Sequence, residues 1–128
     1  WMRTLSLFLL LLPLVSANTP APPHAAGYRS WGSGDCKGIV RGDASYCDTG
    51  DCKALVRGDA SYCETSDCKG AVRQDASYCQ SDDCKAAARK DPSYCDTNDC
   101  KGIVRNDASY CDTGSCKAIA RHDASYCP

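Results

Sequence analysis

From position 35 onward, apolar and polar residues recur in one pattern every 16 residues. In the second copy Cys52, Leu55 and Val56 stand at i, i+3 and i+4, one face of a helix, while Lys53 and Arg57 take the opposite face. Thr49 stands ahead as an N-cap, and Asp51 lies in the first turn, where the helix dipole favours a carboxylate. Arg57 closes the segment at the negative end. The next position holds Gly42, Gly58, Gln74, Lys90, Asn106 or His122, with Gly and Asn the residues best suited to a left-handed C-cap. An Asp follows in every copy and is placed to cap a second short helix. Pro92 replaces Ala directly after Asp91, and proline fits the first helical position, where its missing N–H is not needed. Each copy therefore predicts a helix of about seven residues, a one-residue break, a helix of about five and a tight turn.

Such helices are too short to survive alone in water and must lean on their neighbours. The copies occupy 35–50, 51–66, 67–82, 83–98, 99–114 and 115–128, so the repeat region is 35–128. The expected fold is all-α, a miniature disulfide-stapled α-solenoid of six 16-residue helix-turn-helix repeats. The alternative is a disulfide-stapled β-solenoid, which Val, Ile and Tyr would suit, but no copy shows a clean period-2 run. Two Cys, Lys, Arg, Asp, Ser and Tyr never change between copies. The apolar pair, Ile39-Val40, Leu55-Val56, Ala71-Val72 and Ala87-Ala88 in the first four, has drifted.

Twelve cysteines in a short chain point to a disulfide framework. Pairing within copies would join Cys36–Cys47, Cys52–Cys63, Cys68–Cys79, Cys84–Cys95, Cys100–Cys111 and Cys116–Cys127. Pairing across the turns would join Cys47–Cys52 and its equivalents, leaving Cys36 and Cys127 over. Loop entropy barely separates the schemes, at about 2.8 against about 2.2 kcal/mol per bridge. The within-copy scheme satisfies all twelve, and in an antiparallel helix pair it brings the start of the first helix beside the end of the second. It is the expected pairing. Thiolate metal sites would need closely paired Cys or nearby His, whereas His24 and His122 are not repeated, so no metal or cofactor is expected.

Ahead of the repeats, Met2-Arg3-Thr4, an apolar run from Leu5 to Val15 and the small residues Val15-Ser16-Ala17 have the grammar of a signal peptide at 2–17. The run is about half the length a membrane span needs. A secreted, extracellular protein without a membrane span is the expectation. Residues 18–34, rich in Pro, Gly, Ala and Ser, read as a flexible arm, with Tyr28 and Trp31 its only large apolar side chains. The formal net charge of −1 offers no basic field for nucleic acid.

No nucleophile and base stand out, since every candidate recurs six times, so catalysis is not expected. The invariant Asp and Tyr are expected to be structural, with each Arg paired to an Asp of a neighbouring copy. Lys37, Lys53, Lys69, Lys85, Lys101 and Lys117 serve no cap and no core, and form a candidate binding ladder. Arg41-Gly42-Asp43 and Arg57-Gly58-Asp59 spell an adhesion tripeptide in the helix break. The functional expectation is a structural or interaction protein whose partner is itself, head to tail into filaments through uncapped ends, or an extracellular protein or surface ligand. The alternative is a precursor cut into small disulfide peptides. Integrin-type adhesion and ice binding along the incomplete file Thr49, Thr65, Thr97, Thr113 are minor readings.

Overall fold

The computed structural model describes residues 19–128, and the signal-like segment at 2–17 lies outside them. Each copy contributes one α-helix: α1 (Ser33–Arg41), α2 (Gly50–Arg57), α3 (Ser66–Arg73), α4 (Asp82–Arg89), α5 (Asn98–Arg105) and α6 (Gly114–Arg121). No strand occurs among the described residues, so the all-α expectation holds. The caps behave as their chemistry demands. The Thr49 hydroxyl accepts from the Cys52 N–H at 3.1 Å, and Thr65, Ser81, Thr97 and Thr113 do the same for the helices that follow. Every helix stops on a residue with φ between 54° and 65°, glycine in two copies and Gln74, Lys90, Asn106 and His122 in the others.

The second helix of each copy is shorter than the pattern predicts. It is a single 3-10 turn, Ala44–Tyr46 and its equivalents, with Pro92 opening the one in copy four. The Asp43 carboxylate accepts from the Ser45 N–H at 2.9 Å, and every copy repeats this cap. A lone turn of this kind returns the chain to the start of the next α-helix without forming an antiparallel partner.

Successive α-helices are parallel, because a carboxylate in the first turn of each one clamps the turn leading into the next. Asp35 accepts from the Asp48 N–H at 2.6 Å and from the Thr49 hydroxyl at 2.9 Å. Asp51, Asp67, Asp83 and Asp99 repeat both contacts one copy further on. All six N-termini therefore sit on one rim and all six C-termini on the other, about 12 Å away along the helix axes.

The α-solenoid of six copies closes on itself into a ring. α6 packs against α1 as each other helix packs against its successor. Each copy turns through about 60°, so six complete a circle and the unlike ends of a repeat stack meet within one chain. The disulfides follow the same rule and overturn the within-copy scheme. Cys47–Cys52, Cys63–Cys68, Cys79–Cys84, Cys95–Cys100 and Cys111–Cys116 cross the copy boundaries. Cys36–Cys127 is the sixth equivalent, between the last copy and the first, with a Cα–Cα separation of 5.8 Å against 5.5–5.6 Å for the others. Within a copy the two cysteines face opposite neighbours: Cys36 meets copy six and Cys47 meets copy two. Hence Cys36–Cys47, Cys52–Cys63, Cys68–Cys79, Cys84–Cys95, Cys100–Cys111 and Cys116–Cys127 do not form, and no free cysteine remains among the described residues.

One copy departs from the clamp pattern. The clamping Asp of each copy accepts from the backbone N–H thirteen residues on, and for copy six that residue is Pro128, which has none. Copy six carries Ser115 at the clamp position, 5 % exposed. Ser115→Asp is expected to destabilise the ring by about 1–3 kcal/mol, because a buried carboxylate would lack the donor its counterparts use. Urea melts of the variant against the parent chain measure this, and equal midpoints would contradict it.

The segment expected to be a flexible arm is the centre of the molecule. Residues Pro23–Tyr28 form a 3-10 helix inside the ring, where Ala25, Ala26, Tyr28 and Trp31 are buried. Ala21 N–H donates to the Leu55 carbonyl at 3.1 Å, and the His24 ring nitrogen Nδ1 lies 3.0 Å from the Ala87 carbonyl. A β-carbon on Gly27 would stand 3.2 Å from Val104 and 3.5 Å from Ile103. Trp31 donates from Nε1 to the Ala26 carbonyl at 2.8 Å and meets Tyr28 edge-on. Pro, Ala and Gly suit this position because small side chains let the backbone come close to the surrounding helices. The drift of the apolar pair follows too. These residues face an occupant without sixfold symmetry, so Ala87 makes room where His24 crowds α4, while Ile39, Leu55 and Ile119 border a cavity of about 110 Å³ beside Pro20 to Pro23 of the arm.

Gly58 and Gly42 separate two roles of one residue. Both have φ +65°, but a β-carbon on Gly42 meets nothing within 4 Å, whereas one on Gly58 would collide with the Thr19 carbonyl. Gly42→Ala is expected to cost about 1–2 kcal/mol for the left-handed backbone alone. Gly58→Ala should add release of the arm's outer end, seen as faster hydrogen exchange at the Ala21 amide. Equal exchange in the two variants would contradict this.

Candidate functional site

With the ring closed, most of the invariant residues have internal work. The cysteines join neighbours and the Asp after each helix caps the 3-10 turn, while the clamping Asp of copies one to five and the variable apolar pair hold the turns and surround the arm. Two kinds of invariant side chain point elsewhere. Each Arg in the last helical turn lies over the Tyr of its own copy, 5.0–5.3 Å from the ring centroid. In five copies its Nη1 donates to the Tyr hydroxyl at 2.6–3.0 Å. The expected ion pairs between Arg and a neighbouring Asp are absent among the described residues; the aromatic ring takes the guanidinium instead. Tyr46, Tyr62, Tyr78, Tyr110 and Tyr126 are each 38–39 % exposed.

The lysines of the expected ladder stand on the same wall, one per copy. Among Lys37, Lys53, Lys69, Lys85, Lys101 and Lys117 only Lys85 has an ion-pair partner, Asp82 at 3.8 Å. Between copies one and two, Lys53 shares an open polar groove with Arg41, Asp43, Ser45 and Arg57. The residues of the two adhesion tripeptides border this region, but each has an internal role. Arg41 and Arg57 lie over Tyr46 and Tyr62, Asp43 and Asp59 cap the 3-10 turns, and Gly58 faces Thr19. The capping bonds to Ser45 and Ser61, first from the side chain and then from the backbone, hold the Asp43 and Asp59 carboxyls below the usual carboxylate range. These carboxylates are therefore charged at any ordinary pH.

The net charge of −1 conceals a separation along the axis. Asp35, Asp51, Asp67, Asp83 and Asp99 gather on the N-terminal rim with Asp48, Glu64, Asp96 and Asp112 from the intervening turns. The lysines and arginines of the copies occupy the wall and the opposite end, where the six capping aspartates, Asp43 to Asp123, match the six arginines in number. Acids at helix N-termini and bases toward the C-termini each match the parallel helix dipoles. Sequence analysis, reading a net value, missed this because it depends on all six helices pointing one way.

Five clusters, such as Asp35 with Cys47 and Cys52, bring a carboxylate and two sulfurs within 4.8 Å. The sulfurs are bonded to each other, and the thiolate that would ligate a metal does not exist in them. His24, unrepeated in the sequence, is half-buried beside Lys90, Asn106 and His122 near the C-terminal rim. Burial depresses its pKa below the ordinary 6.5, opposed by the contact with Ala87 and reinforced by Lys90. The folded state thus binds this proton less readily than the unfolded chain. Its contribution is fully present above pH about 6.5 and is lost as the pH falls below that value toward the lowered folded pKa. His24→Gln is expected to flatten stability against pH from about pH 7 down to about pH 5. Thermal melts across that range test it, and an unchanged slope would contradict it.

No helix among the described residues is long and apolar enough to cross a membrane. Comparison with protein families, characterised proteins and solved structures gives no match.

Proposed function

We propose that the chain is a secreted, non-catalytic binding scaffold: a disulfide-locked ring whose outer wall offers six equivalent Lys–Arg–Tyr units to an acidic extracellular ligand. The observation that carries this reading is the sixfold recurrence of a cation that the fold does not use. Five of the six lysines make no ion pair, and the Arg–Tyr pairs beside them leave the aromatic rings part-exposed. Six bridges and the signal-like segment at 2–17 support an oxidising, extracellular setting. Weak contacts repeated around a rigid circumference gain by avidity, since each further unit binds at high effective concentration. Clamps and disulfides that cross every copy boundary favour an intact chain over release of single-copy peptides. Head-to-tail filaments through the first and last copies find no support, because those surfaces are joined to each other.

Lys→Ser changes in one, three and all six copies, followed by salt elution from immobilised heparin as a generic polyanion, test the proposal. Retention should fall more steeply than in proportion to the number of lysines removed. Equal retention of all variants with an intact ring would overturn it.

A further inference from the structure

We infer that the protein is a covalent lasso: the loop 36–127, closed by Cys36–Cys127, is pierced by the chain's own arm. The arm leaves the loop at the N-terminal rim, where it joins α1. There Tyr28 donates to buried Asp51 at 3.1 Å and Arg29 pairs with the same carboxylate at 3.3 Å. It then runs antiparallel to the helices. Gly27 lies against α5, His24 against the Ala87 carbonyl of α4, and Ala21 bonds the Leu55 carbonyl of α2. Residues 20–23 share a cavity with Ile39 and Val40 of α1, and the arm also packs against α3 and α6. The chain emerges at Thr19 against Gly58, which ends α2 on the opposite rim. Contacts with α2 to α6 and a cavity shared with α1, beginning on one rim and ending on the other, place the arm through the loop and not beside it.

Threading has a consequence for the order of assembly. The five bridges between successive copies close short loops and can form before the ring does. Cys36–Cys127 spans 91 positions and is the bond that completes the circle. The ring must wrap the arm before this bond forms, because afterwards the N-terminal end would have to be drawn through a lumen lined by packed side chains. The arm is thus a mandrel, and Cys36–Cys127 is its lock.

A rotaxane experiment tests the topology directly. One small domain that stays folded in 6 M urea is fused ahead of Thr19, and a second is inserted between Gly32 and Ser33, both exposed, with a protease site on its ring-side flank. After cleavage no covalent bond links arm and ring. We expect them to co-elute on size exclusion in 6 M urea without reductant, and to separate once dithiothreitol is added. A Cys36→Ala/Cys127→Ala version should separate in urea alone. Separation of the parent version in unreduced urea would overturn the proposal. Should the double fusion fail to fold, oxidative refolding of the chain carrying only the N-terminal domain decides the matter. Quenched samples should show Cys36–Cys127 forming last, after Trp31 fluorescence reports burial. Closure of that bond before burial, with burial following undelayed, would also overturn it.

Discussion

Removing Cys36–Cys127 by alanine at both positions is expected to cost about 4–5 kcal/mol, roughly twice the loss from removing Cys47–Cys52 in the same way. The two bridges are equivalent in space but not along the chain: one separates its cysteines by 91 positions, the other by 5. In the chain-entropy view a bridge acts by restricting the unfolded state, so the long loop contributes about 4.6 kcal/mol and the short one about 2.2. Both pairs lose the same atoms, which makes the short bridge an internal control for packing. The open ring should also loosen at the seam between α6 and α1, exposing the arm through the gap. Guanidinium melts of both double variants, followed by Trp fluorescence, measure the ratio. A loss no greater than that of the control would show that the seam is held by packing alone.

The second large effect is expected at Asp51, the most buried carboxylate, 1 % exposed. It accepts from the Glu64 N–H and the Thr65 hydroxyl in the ring, and from Tyr28 and Arg29 in the arm. No other clamp touches the arm in this way. Asp51→Ala would strand two donors of the next turn and the hydroxyl of a buried tyrosine, at a cost of about 3–5 kcal/mol. Asp99→Ala, which strands only the turn, should cost about 1–3 kcal/mol. Asp51→Asn keeps the shape and part of the hydrogen bonding but not the charge opposite Arg29, so it should fall between the two. The Tyr28 hydroxyl, whose ionisation is pushed far above the ordinary tyrosine range by burial and by the Asp51 charge, offers a spectroscopic readout. Its alkaline titration should drop toward normal only when Asp51 is altered. Equal losses for Asp51→Ala and Asp99→Ala would mean that the arm draws nothing from this carboxylate.

Local chemistry was legible residue by residue. Thr49 ahead of an apolar stripe announced an N-cap, Gly42 and Asn106 announced left-handed stops, and Pro92 after Asp91 announced a helical first position. Each depends on atoms within a few residues, and each is found where expected. The second helix shrank to one turn, which packs between the helix of its own copy and that of the next. The candidate lysines were legible as residues without a local role. Their grouping with Arg–Tyr pairs on one wall was not, since spacing in sequence does not give a direction around a ring.

The sequence by itself determined the repeat, the bounds of the first helix of each copy, the caps and the disulfide character of the protein, because these rest on interactions inside a 16-residue window. The tertiary structure decided that six copies make one full circle, a property of the small rotation between neighbours that no single copy encodes. From that closure came the pairing of Cys36 with Cys127. Closure also gave the Pro/Ala/Gly segment its place: read alone it has no surface to bury, and only a ring of six parallel helices supplies one around it.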